Sequence, residues 1–104
     1  VYSQTLQENI LTMLVFSEKN APTLISNLDI VYFDNKYYRY IAELCIKFYN
    51  EFGMVPKNHI ADMLEDKLNN SEGTIYKNIL GNIYENNNNI NENYVLSELE
   101  KFNG

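Results

Sequence analysis

The sequence predicts an all-α domain, a small bundle of about six helices ending in an antiparallel helical hairpin. Three observations predict it. Apolar residues recur at intervals of three and four almost throughout the 104 residues. Asn, Ser, Gly and Pro cluster between those periodic segments, where helices start and stop. The one stretch of strand-like composition, "DIVYF" (residues 29–33), is too short to anchor a sheet alone. The length suits a single domain with one core, divided into a bundle over residues 1–70 and a hairpin over 71–104.

The first helix is expected over residues 4–16, with Ser3 as its N-cap. Leu6, Ile10, Met13 and Leu14 form one stripe, and Leu11 and Val15 lie beside it. "APTLISNL" predicts a short second helix over 22–28, with Pro22 in the first turn, where a missing N–H costs nothing. Asp34 is the expected cap of a long third helix over 35–52. There Tyr37, Ile41, Leu44 and Phe48 fall at i, i+4, i+7 and i+11, while Tyr38, Cys45, Tyr49 and Phe52 widen the apolar surface. So wide a surface predicts neighbours on more than one side, which makes this Tyr-rich helix the expected central beam. Gly53 ends it as a C′ residue.

A fourth helix is expected over 58–68, with Ile60, Met63, Leu64 and Leu68 facing inward. A fifth, over 74–86, carries two apolar columns, Ile75–Ile79–Ile83 and Tyr76–Leu80–Tyr84. The Asn-rich run "ENNNNINEN" (residues 85–93) has the composition of AT-rich coding sequence and suits a reversal of the chain. Asn89 and Glu92 have capping-box spacing for a last helix over 90–102, which carries Val95, Leu96, Leu99 and Phe102.

Chemistry is scarce. There is no G-x-x-x-x-G-K-[ST] phosphate loop and no G-x-G-x-x-G. His59 is the only His, so neither a multi-His metal site nor a Ser-His triad has its parts. Asp62, Glu65 and Asp66 share a helical face that could hold a hard cation, although such surface carboxylates are ordinarily solvated. Cys45 lies within an apolar surface, where a thiol is inert. No catalytic, cofactor or metal site is expected. The eight Lys and Arg are scattered and the net charge is −6, which disfavours direct binding of DNA or RNA. Apolar runs are far too short to cross a membrane, one Cys cannot make an internal disulfide, and a cytoplasmic location is expected. Because Val1 is not a Met, the chain is expected to be part of a longer one.

The hairpin holds the expected contact surface. One apolar column of its first helix suffices to seat it on the bundle, so the second is surplus unless a partner covers it. The interface residues expected are Ile75, Tyr76, Ile79, Leu80, Ile83 and Tyr84, with Val95 and Leu99 from the last helix. A second copy pairing through the hairpin is the expected partner.

The order of elements resembles the N-terminal domain of the DnaB family of replicative DNA helicases, bacterial or phage, over nearly the whole chain. "LQENILTMLVF" resembles the family's opening E-x-x-x-L-x-x-L-L helix. In "VYFDNKYYRYIAELCIKFYNEFGMVP", Phe33 precedes the turn and "YYRYIAEL" resembles H-R-x-I-F-x-A-M. "HIADMLEDKL" resembles T-L-A-E-x-L, and "IYKNILGNIY" with "NENYVLSELEKF" looks like the family's hairpin. The match to the family's Gly-rich approach at "NNSEGT" is weak. The resemblance implies an assembly and docking domain that meets a primase or a helicase loader. In the full-length chain it implies a hexamer that binds DNA, with ATP and Mg²⁺ held by a separate RecA-type domain. The alternatives are the helicase-binding C-terminal domain of a primase, which is similar in pattern, and a free-standing adaptor protein.

Overall fold

The computed structural model describes residues 1–103 of the 104. Seven helices and two single 3-10 turns make up the fold, and no strand occurs among the described residues. Helix α1 spans Gln4–Phe16, α2 Ala21–Asn27, α3 Lys36–Phe52, α4 Ile60–Met63, α5 Glu65–Leu68, α6 Gly73–Asn86 and α7 Glu92–Phe102. The all-α expectation holds, and five of the six expected helices stand within about two residues of their expected bounds.

The central helix is α1, not the Tyr-rich α3. Leu6, Gln7, Ile10, Leu11, Thr12, Met13, Leu14 and Val15 are all buried, so α1 is enclosed over most of its circumference. Helices α2, α3, α6 and α7 pack around it. The reason is compositional: after Glu8, α1 has no charged side chain that must reach water. By contrast α3 buries only Tyr38, Ile41, Ala42 and Cys45 and presents its charged face to solvent.

Tyr38 of α3 joins the core, whereas Tyr37 and Tyr40 bridge elements. Tyr37 and Tyr40 meet the ring of Tyr76 on α6 edge-on, with centroids 5.4 and 6.0 Å apart. The Tyr37 hydroxyl donates to Glu72 Oε2 at 2.6 Å, and Lys67 Nζ lies 4.9 Å from the Tyr40 ring centroid. At the opposite end Tyr2 packs on Tyr32, Phe33 and Phe102, tying the N-terminal segment to the connector and to the end of α7.

The caps divide between those that match expectation and those displaced by one or two residues. Ser3 accepts from the Leu6 N–H, and Gly53 takes the left-handed conformation (φ 70°) that closes α3. The cap of α3 is Asn35, whose Oδ1 accepts from the N–H groups of Tyr37 and Tyr38. Asp34 instead accepts from Gln7 Nε2 at 2.8 Å, joining the start of α3 to α1. The cap of α7 is Asn91, which accepts from the Tyr94 N–H, so the Asn89–Glu92 capping box does not form. Glu92 accepts from Ser17 Oγ and, at 2.8 Å, from Asn20 Nδ2, clamping the α1–α2 link.

The expected single helix over 58–68 is broken. A 3-10 turn at Lys57–His59 leads into α4, and Leu64 (φ −99°, ψ 8°) separates α4 from α5. Ile60 and Leu64 are fully buried, while Met63 and Leu68 are only partly covered. No Gly or Pro marks the break, and the Leu64 N–H still donates to the Ile60 carbonyl and the Leu68 N–H to the Leu64 carbonyl.

Candidate functional site

The residues expected to pair with a second copy lie mostly in the core. Tyr76, Ile79, Leu80, Ile83, Val95 and Leu99 are buried, and only Ile75 and Tyr84 are exposed. Four buried positions at i, i+3, i+4 and i+7 describe one wide face of α6, and α1 and α5 cover it. The two columns are adjacent rather than opposed, so the domain itself consumes both. Helix α7 likewise seats on α1 and α2. The last two helices therefore wrap the central helix, and no surplus column is offered. Ile75 and Tyr84 lie more than two turns apart on α6, and the Tyr84 ring packs against Phe16 with centroids 5.6 Å apart.

The carboxylates Asp62, Glu65 and Asp66 are exposed and are split between α4 and α5 by the break at Leu64. Among the described residues no group of three His, Cys, Asp or Glu side chains could share a metal ion. Cys45 is fully enclosed, and burial pushes its thiol up to about 12. Glu72 is held below the usual carboxylate range, first by the hydrogen bond from Tyr37 and then by Lys36 and Lys67. It joins the 69–72 link to α3, which is a structural role. No helix among the described residues is long and apolar enough to cross a membrane.

The feature that the core does not absorb is a groove at the end of α3. Phe48 and Phe52, one turn apart, pack with ring centroids 4.7 Å apart and planes tilted by 49°. With Met54, His59, Asp62 and Met63 they line an open depression of about 440 Å³. Phe52 is 56% exposed and Met54 52%, high values for large apolar side chains.

The groove is built by the chain's local chemistry. Gly53 reverses the backbone, which brings Met54 alongside the last turn of α3. The Val55 N–H donates to Glu18 Oε1 at 3.1 Å, and the Val55 side chain is buried, so the linker is pinned to the body of the domain. The turn at Lys57–His59 then directs α4 so that Met63 faces the two rings. On the rim His59 Nδ1 stands 3.7 Å from Asp62 Oδ2, both side chains largely in solvent.

Periodicity reasoning placed Phe48 and Phe52 in the core because they continue the apolar face of α3. The available signal was length: "KFYNEF" runs two turns past Cys45, the last buried residue of α3. No protein-family model, no curated protein and no solved structure matches this chain.

Proposed function

We propose that the chain is a protein-docking and assembly domain, of the kind that DnaB-type replicative helicases carry ahead of their ATPase. The open groove at the end of α3 supports the reading. Burying a large apolar side chain contributes about 1.5–3 kcal/mol, so leaving half of Phe52 and half of Met54 in water forgoes about 1.5–3 kcal/mol in total. That is a substantial fraction of the roughly 5–15 kcal/mol that holds a domain together. A partner that covers the groove recovers it.

The charge pattern supports a protein partner over a nucleic acid. Fourteen Asp and Glu face eight Lys and Arg, and phosphate recognition needs converging cations. In this reading the domain performs no chemistry. ATP and Mg²⁺ belong to a separate domain of the full-length chain, and the docking partners are a primase or a helicase loader alongside neighbouring copies.

Full-length protein tests the reading. It is expected to form rings visible by electron microscopy and to unwind forked DNA only with ATP and Mg²⁺. A full-length chain that has no nucleoside-triphosphatase activity and forms no rings overturns the helicase assignment.

A further inference from the structure

We propose that the occupant of the Phe48–Phe52–Met54–Met63 groove is an amphipathic helix with a basic polar face. This rests on the docking reading above and names the chemistry of the partner. Three observations carry it.

The first is shape. The depression is wide open to solvent, and its lining comes from the end of α3, the linker with its 3-10 turn, and α4. A small-molecule site encloses most of its ligand, and this one does not. No strand edge exists among the described residues, so strand addition has no template. The remaining common mode is a helix laid along a groove between helices, with anchors at i, i+3 or i+4, and i+7.

The second is the lining. Two phenyl rings in tilted contact and two thioethers line it, and the thioethers are adaptable. Such a mixture takes branched or aromatic anchors without requiring one fixed shape.

The third is charge. Asp62 stands on the rim, and Asp62, Glu51, Glu65 and Asp66 outnumber Lys47, Lys57 and Lys67 on the elements that form or follow it. The whole domain carries −6. A second copy would bring an equal negative charge, whereas a Lys- or Arg-faced helix is attracted and steered in.

The test uses two fluorescein-labelled helical peptides of about five turns, with identical Leu faces at heptad spacing. One carries Lys on its polar face and the other Glu. Fluorescence polarisation reads binding, and amide chemical shifts of the domain map the site. The Lys-faced peptide is expected to bind at least about tenfold more tightly than the Glu-faced one, an advantage that shrinks between about 0.05 and 0.3 M salt. Phe52→Ser and Met54→Ser are each expected to weaken binding about tenfold. Both side chains are more than half exposed, so both variants are expected to keep the wild-type circular dichroism and melting temperature. Should either variant misfold, the wild-type shift map decides, with changes expected at 48–54 and 59–63.

Absence of binding, equal affinity for the two peptides, or a shift map elsewhere on the domain overturns the proposal. So does a dimer of the domain alone, seen by sedimentation, that Phe52→Ser abolishes. The full-length ring and unwinding assays do not depend on the peptides. Failed peptide binding with rings intact therefore removes this occupant and leaves the helicase reading standing.

Discussion

At Gly73 a side chain would meet backbone. A Cβ there would stand 2.1 Å from the carbonyl oxygen of Leu68, which cannot move without displacing the end of α5. Gly73→Ala is therefore expected to destabilise the domain by about 1–3 kcal/mol, while Gly81→Ala, with open space around it, is expected to be neutral or stabilising. Urea unfolding of both variants checks the contrast. Cys45 gives a second residue-scale expectation. Burial holds its folded-state value near 12, against 9.0 for a free thiol. Below pH 9 the thiol is protonated in both states and costs nothing. Above pH 9 the unfolded chain ionises first, so stability falls as pH rises from 9 towards 12, by up to about 1.4 kcal/mol per pH unit from this group. The buried tyrosines Tyr2 and Tyr38 are also raised by burial and add to the loss above pH 10. Cys45→Ser is expected to flatten the pH 9–10 part of that profile, and the native thiol to resist Ellman's reagent until the chain unfolds.

At the scale of the element, the caps separate two sequence positions that look equivalent. Asn35 and Asn91 each accept backbone N–H bonds at a helix start. Asn89 makes only a side-chain bond back to the Glu85 carbonyl. Asn35→Ala and Asn91→Ala are each expected to cost about 1 kcal/mol, and Asn89→Ala less than about 0.5, in thermal or urea unfolding. The sequence contains the right residue types in the right neighbourhood, but several neighbouring Asn and Asp side chains compete for each cap. The winner depends on where the rest of the molecule holds the chain. Asp34 is taken by Gln7 of α1, which leaves the cap of α3 to Asn35.

At the scale of the whole molecule, α6 is the element whose surroundings decide its role. From periodicity alone one of its columns is expected to face a second copy. An Asp at 79 or 80, whichever lies in the outward column, would then break a dimer with helix content intact, while an Asp in the inward column would unfold the domain. Ile79 and Leu80 are both buried within the chain. Ile79→Asp and Leu80→Asp are therefore both expected to unfold it, because an unpaired buried charge costs about 3–5 kcal/mol against a total of about 5–15. Circular dichroism of the two variants reads this directly. A folded variant in either case would show that its face of α6 is not enclosed.

The sequence by itself determined the helices. Apolar spacing, the glycine after α3, the proline in α2 and the cap residues are local signals, and local hydrogen bonding makes a helix wherever they agree. It also determined the acidic, cation-poor surface. The tertiary structure alone decided which helix is central, because α1 and α3 are both wide apolar helices and only packing ranks them. It also decided that the two columns of α6 are one buried face. The exposure of Phe52 and the partial burial of Phe48 were decided in the same way. The α3 pattern continues two turns past Cys45, its last buried residue, and burial depends on what stands opposite a side chain, which spacing along one helix does not encode.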